Sequence, residues 1–356
     1  MTSNGISLME WTGRPPGTVA VLRGGQVESV HRVHVAVTAS HGDAWVGEPS
    51  TLVSIRSAAK PFQAVPVWAD GVVERFHLDP FEVALCCASH SGEPLHVETV
   101  RSLLARGGLG EEVLACGPRA PFHGPSARRL MEKGEKPTRV HNNCSGKHAG
   151  MLLLAVHRGW PTHGYHEQDH PVQMRIVEAV SELMEVDPHG LPMAVDGCGV
   201  PCFFVPLRTL ATGCRRLTAQ PGGGFPGYQG LLQAMGRNPW WVAGTQRFCT
   251  RVMEASEGRV VVKVGAEGVY GAAVPDMGWG IALKAEDGAG RAAEAALVAV
   301  LRDLLPELSH SLESVGPAAL RNTRDEEVGH LEVRLPWAGE GELAHLGSLA
   351  AAGGGA

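Results

Sequence analysis

Leu52–Gln63, LVSIRSAAKPFQ, changes character halfway. Leu52-Val53-Ser54-Ile55 is β-branched and extended. From Ser57 the apolar residues Ala58, Ala59, Phe62, Ala64 and Val65 fall at helical spacing and run on towards Trp68. Upstream, Thr18–Leu22 and Val27–Val37 flank Arg23-Gly24-Gly25-Gln26, the pattern of a hairpin, and Ala44–Val46 adds a third short strand. Downstream, segments such as Leu95–Ala105 and Pro171–Met184 predict helices broken by Gly and Pro, with Pro171 suited to a first turn. Strand character returns at Arg259–Lys263, Val269–Val274 and Gly280–Lys284, and an Ala/Leu/Val helix follows from about Arg291 to Leu305. Strands, helices, strands, helix is the order of an α+β protein. An antiparallel sheet is built from both chain ends, about 17–56 and 258–305, around a helical insertion at about 57–257. One catalytic domain over 1–340 is expected, with a cleft where insertion meets sheet. A disordered Gly/Ala tail is expected over 341–356. No internal repeat is visible.

The 356 residues are 44% hydrophobic and 19% charged, enough for a substantial core. With 31 Lys and Arg against 37 Asp and Glu the net charge is -6, and no basic run occurs, so a nucleic-acid partner is not expected. Apolar stretches such as Gly150–Val156 are too short to span a bilayer. Met1–Pro16 carries Glu10 and Arg14 and does not read as a secretory leader. A cytoplasmic protein is expected. The eight cysteines lie at irregular spacing without paired CxxC knuckles, which excludes a zinc finger.

Lysine is scarce, six in all, and Ser-x-x-Lys occurs once, as Ser57-Ala-Ala-Lys60. Residues three apart share a helix face, which would bring the amine to the hydroxyl. Serine is a weak nucleophile until a base takes its proton, and lysine is such a base only where burial or nearby positive charge keeps it neutral. A helix cap beside a solvated lysine is the simpler alternative. Late in the chain, Lys263-Val264-Gly265 ends a strand, the placement used by penicillin-recognising serine hydrolases to set a cation and backbone N–H groups opposite a Ser-x-x-Lys helix. Between them, Ala88-Ser89-His90-Ser91-Gly92 stands where that group has Ser-x-Asn but lacks the Asn. This argues against a true β-lactamase, and leaves Ser89 as either a proton relay paired with Lys263 or a helix cap. His141–Gly150, HNNCSGKHAG, places polar side chains and a thiol before an apolar helix, and Asp196-Gly-Cys198-Gly offers a second thiol in a tight turn. These residues are compatible with a metal site, a redox pair or packing alone.

Together the motifs resemble the rhizobial-type L-asparaginases, the thermolabile asparaginase II family, which is similar in fold to serine β-lactamases and glutaminases. The resemblance runs from about Val19 to Gly288 and is carried by RSAAKPFQ at 56–63, HNNCSGKHAG at 141–150, HPVQ at 170–173, DGCGVP at 196–201 and KVGAEGVY at 263–270. It implies hydrolysis of L-asparagine to L-aspartate and ammonia by a homodimer. It also implies Ser57 as nucleophile, Lys60 as its base, and Ser89 with Lys263 as a second pair. A zinc held by Cys144, Lys147 and Cys198 is implied as well, with water as fourth ligand. Arg56, Asn143 and Asp196 are expected contacts for the amino-acid end of the substrate. Ser57 and the 263–265 edge are expected to supply oxyanion donors. Arg119 stands where the family pattern has His, which touches substrate preference. The rivals are a glutaminase or other amidase on the same scaffold, and a zinc- or redox-responsive binding protein without turnover.

Overall fold

The computed structural model describes residues 14–220, 227–317 and 319–346. The strands are β1 (Gly17–Arg23), β2 (Gln26–Thr38), β3 (Asp43–Val46), β4 (Leu52–Ser54), β5 (Met193–Val195), β6 (Pro201–Pro206), β7 (Val261–Val264), β8 (Val269–Val274), β9 (Trp279–Ala285), β10 (Leu320–Arg321), β11 (Glu327–Arg334) and β12 (Ala338–Gly339). The main sheet is antiparallel and runs β10-β11-β1-β2-β9-β8-β7, with β3 pairing both β2 and β12. The α+β architecture is therefore the expected one: strands from both ends of the chain meet where Val33–Thr38 of β2 pairs with Gly280–Ala285 of β9.

Every residue of β9 is buried, as its unbroken run Ile281-Ala282-Leu283 requires of a strand covered on both faces. The helices Leu207–Leu217 and Gly290–Leu304 supply that cover between them, both packing against β2, β8 and β9. The first comes so close that a Cβ on Gly280 would sit only 2.0 Å from the Ala211 carbonyl oxygen.

Four expectations are corrected. Leu52–Ser54 does not join the main sheet. It pairs with β6, which pairs with β5, in a small sheet inside the insertion. The helix expected from Ser57 to Trp68 is three short pieces: a 3-10 turn at Arg56–Ala59, then Lys60–Gln63, then Val65–Ala69. Pro61 and Pro66 cause the breaks, because proline cannot donate within a helix and is accommodated only in a first turn. The sheet also continues past residue 305, since β11 pairs with β1 along six residues. The tail expected to lack order begins with a 3-10 turn at Gly341–Leu343, where Leu343 and Leu346 are buried. Residues 347–356 lie outside the described residues.

The centre of the insertion is the helix Ser145–Arg158, buried at every position from Ser145 to Ala155. Leu152, Leu153 and Leu154 are among its fully buried side chains, each contributing about 1.5–3 kcal/mol. It packs closely against the helix Pro80–Cys86 through its glycines. A Cβ on Gly146 would be 2.4 Å from the Leu85 carbonyl oxygen, and one on Gly150 would be 2.9 Å from Cys86 Sγ. This close approach sets the entry to one helix, Cys144, beside the exit of the other, Ala88-Ser89.

Candidate active site

Lys60 enters this junction from the Arg56–Gln63 turns. The residue before Ser57, Arg56, has φ of 43°, a left-handed conformation that costs a side-chain-bearing residue about 1–3 kcal/mol. It is held by an ion pair, Arg56 Nε donating to Asp196 Oδ1 at 2.7 Å. Asp196 also accepts the Gly197 N–H at 2.7 Å. Burial alone would raise the Asp196 pKa, but the Lys147 charge, the Gly197 N–H and Arg56 hold it below the ordinary carboxylate value.

Ser57 is half-buried, and its hydroxyl makes no hydrogen bond among the described residues. The Lys60 amine turns instead to a different serine. It donates to Ala88 O at 2.6 Å and Ser89 Oγ at 2.9 Å, and lies 3.3 Å from Cys144 Sγ and 3.5 Å from Asn143 O. Lys263, arriving from β7, donates to the same Ser89 Oγ and to Val264 O, both at 2.8 Å. Lys60 is 0% exposed, Lys263 3% and Ser89 5%, so one hydroxyl is shared by two amines out of water. Desolvation first, and the neighbouring Lys60 charge second, push the Lys263 pKa down to about 7. A hydroxyl has two acceptor lone pairs and one proton. With both lone pairs taken by amines, the Ser89 proton is free to be given away.

Cys144 links this cluster to a second one. Its thiol hydrogen-bonds Cys198, and Lys147 Nζ lies 3.2 Å from Cys198 Sγ. The Cys144 hydrogen bond and the Lys147 charge overcome burial and pull the Cys198 thiol down to about 4. Donation to Cys198 together with burial pushes Cys144 up to about 12. Among the described residues no three His, Cys, Asp or Glu side chains are placed to hold a metal ion. Two thiols and an amine are a different donor set, soft enough for zinc, and on that chemistry the residues fit.

Two residues that the sequence did not single out hold this arrangement. Asn142 gives its amide to Gly117 O at 2.7 Å and takes the Cys144 N–H at 2.9 Å, fixing the turn before the long helix. His90, fully buried, accepts the Gly92 N–H on Nδ1 and reaches Ser145 Oγ with Nε2 at 2.9 Å, while Ser145 donates to Val140 O. It therefore ties the residue after Ser89 to the residue after Cys144. Burial keeps it neutral, pushing its pKa well down. Their position next to motif residues was the available signal. One expected role is not available: the Gly265 N–H is committed to Val269 O at 2.7 Å. The Ser57 N–H, in the first turn of a helix, is of the kind left without a helical acceptor.

Residues 19–333 match the family model of L-asparaginase II. The chain belongs to that family, and is on this evidence a hydrolase. No curated protein matches it. Among solved structures it is similar to a Bacteroides dorei protein provisionally described as a β-lactamase, at 13% identity and a TM-score of 0.37, over 85% of this chain and 93% of that one. It is also similar to a β-lactamase from Mycobacterium bovis, at 16% identity and a TM-score of 0.31, over 86% of this chain and 96% of the other. No helix among the described residues is long and apolar enough to cross a membrane.

Proposed function

We propose that this chain is an L-asparaginase, hydrolysing L-asparagine to L-aspartate and ammonia through an acyl-enzyme. The observation that carries the proposal is the Ser89 hydroxyl held by two buried amines beside the strained Arg56-Ser57 turn, in a chain of the asparaginase II family. Ser57 is assigned as the nucleophile on the Ser-x-x-Lys motif of the family, with its half-buried hydroxyl three residues before Lys60. Its oxygen bonds to the side-chain amide carbon as its proton passes to Lys60, a step that requires the uncharged amine and its turn from Ser89 towards Ser57. The carbon–nitrogen bond then breaks, and the leaving nitrogen takes the Ser89 proton, which Lys263 replaces. Water then attacks the aspartyl ester, its proton passing through Ser89 to Lys263, and as the ester bond breaks Lys60 returns its proton to the Ser57 oxygen, releasing aspartate and restoring all three groups. Proton transfer by a positioned group of this kind contributes about 10²–10⁴-fold.

Cys144, Lys147 and Cys198 would hold zinc, which when bound supplies a Lewis acid for the polar end of the substrate. Loading it requires Cys144 and Lys147 to give up protons. Arg56, Asn143 and Asp196 would contact the amino-acid head of the substrate, Arg56 and Asp196 already being paired with one another. A cytoplasmic homodimer acting on a small amide fits this assignment. The second reading, a glutaminase, differs only in the length of chain between head and amide.

A coupled ammonia assay with L-asparagine and L-glutamine, with and without a chelator, tests the proposal. Release from asparagine that Ser57→Ala abolishes supports it. Preference for glutamine moves the assignment to the second reading, and no release from either amide refutes both. Cys198→Ser should lower the zinc bound per chain, and unchanged metal content would reject the ligand set.

A further inference from the structure

Two buried side chains have no part in the chemistry above: Gln173, from the motif HPVQ, and His148, which follows Lys147. Both lead to Tyr165, one of the largest fully buried side chains. Gln173 stands in the first turn of the helix Pro171–Met184, which His170 opens by accepting the Val172 N–H on Nδ1 at 3.1 Å. From there its amide donates to the Tyr165 carbonyl at 2.8 Å. Tyr165 Oη accepts the Ala115 N–H at 2.9 Å and lies 2.6 Å from His148 Nδ1. The other ring nitrogen of His148, Nε2, is buried without a hydrogen-bond partner among the described residues. One hydroxyl therefore anchors the ring.

Tyr165 reaches both halves of the cluster formed by Cys144, Lys147 and Cys198. Residues 144, 147 and 148 stand at i, i+3 and i+4 and share a face at the start of the helix Ser145–Arg158, where the His148 N–H donates to Cys144 O at 3.0 Å. Holding His148 holds the turn that carries the other two. Cys198 belongs to the turn 196–199, in which Gly199 has φ of 92°. A Cβ on Gly199 would lie 3.7 Å from His166 Cδ2, so the ring next to Tyr165 rests against that turn. Tyr165-His166 thus touches both sides of the contact in which Lys147 Nζ stands 3.2 Å from Cys198 Sγ. Through Ala115 it also fixes the segment that Asn142 holds at Gly117. Groups of this kind, hydrogen-bonded outside a ligand set, orient the ligands and govern metal affinity.

We propose that Tyr165 is a positioning residue for this cluster: through His148 and the adjoining His166 it sets the Lys147 amine against Cys198, and zinc affinity depends on its hydroxyl. The inference rests on Cys144, Lys147 and Cys198 as the ligand set and adds no ligand to it.

The test is the zinc affinity of the folded protein, measured by competition with a chromogenic chelator. Wild type is compared with Tyr165→Phe, His148→Leu, His148→Asn and the double variant Tyr165→Phe/His148→Leu, with urea unfolding of the metal-free proteins alongside. Tyr165→Phe removes one oxygen and should weaken zinc binding by about 10–100-fold. His148→Leu should cost a similar factor, and the double variant no more than either alone, because both cut the same link. His148→Asn offers the Tyr165 hydroxyl an oxygen in place of Nδ1, and should stay within a few-fold of wild type. Unchanged zinc affinity in Tyr165→Phe, with only the unfolding free energy reduced, would make the hydroxyl a packing device and overturn the proposal. Should Tyr165→Phe not fold, equal losses in His148→Leu and His148→Asn would overturn it instead. A wild type that binds no zinc, or loses none in Cys198→Ser, would reject the ligand set and this inference with it. Zinc binding that Cys198→Ser lowers and Tyr165→Phe leaves intact would reject the inference alone.

Discussion

The Ser89 oxygen accepts from two lysines and keeps one proton to spend. Ser89→Ala should therefore lower kcat by about 10²–10⁴-fold with the fold intact, which turnover and far-ultraviolet circular dichroism would check together. A kcat within a few-fold of wild type would remove Ser89 from the proton path. The Lys263 charge makes a separate prediction. In the unfolded chain its amine titrates near ~10.4, and in the folded one at about 7. Below pH 7 both states carry the proton, and the folded state bears the full cost of a buried cation. Between pH 7 and about 10 only the unfolded state binds it, so this group makes stability rise with pH and its penalty fades across that window. Lys263→Met should thus gain stability relative to wild type at pH 6, and the difference should shrink towards pH 10 in urea titrations. A difference independent of pH would contradict the assigned shift.

Elements bring these residues together through glycine. Gly146 lets the helix Ser145–Arg158 meet the Leu85 backbone, and through that contact Cys144 and Ser89 both reach Lys60. Gly146→Ala should destabilise the protein by about 1–3 kcal/mol, measured by urea unfolding, and lower turnover as the two loops part. Unchanged stability would show that the helices do not depend on this approach. At this scale the sequence was legible where period and punctuation agree. The Gly24-Gly25 turn marked the first hairpin, and the apolar runs at 269–274 and 280–284 marked β8 and β9. Ser57, Lys60 and Lys263 stood out by spacing and scarcity, and the structure brings Lys60 and Lys263 onto one hydroxyl, that of Ser89. The Lys60 amine's preference for Ser89 was not, because it depends on how the Pro61 and Pro66 breaks turn the chain. The roles of His90 and Asn142 were hidden too, since their partners Ser145 and Gly117 are distant in sequence.

At the scale of the whole molecule, the C-terminal strands close the sheet. β11 alternates charged and half-buried residues, as in Glu327, Val328, Glu332, Val333 and Arg334, and that weak pattern hid it from a reading of apolar runs. Its structural weight is nonetheless considerable. It pairs along β1, and just beyond it the buried Trp337 donates its indole N–H to Asp303 at 2.7 Å. A chain ending at Gly316 would leave β1 as an open edge, so it should melt at lower temperature and associate, visible by light scattering. A monodisperse truncation with unchanged melting would show β11 to be an ornament on the sheet. In the proposed mechanism the acyl group is carried by Ser57, and acid quenching during turnover tests this directly. Protein mixed with L-asparagine, quenched and digested, should carry an aspartyl ester on the peptide containing Ser57. An ester on the Ser89 peptide, or steady ammonia release from Ser57→Ala, would contradict the account.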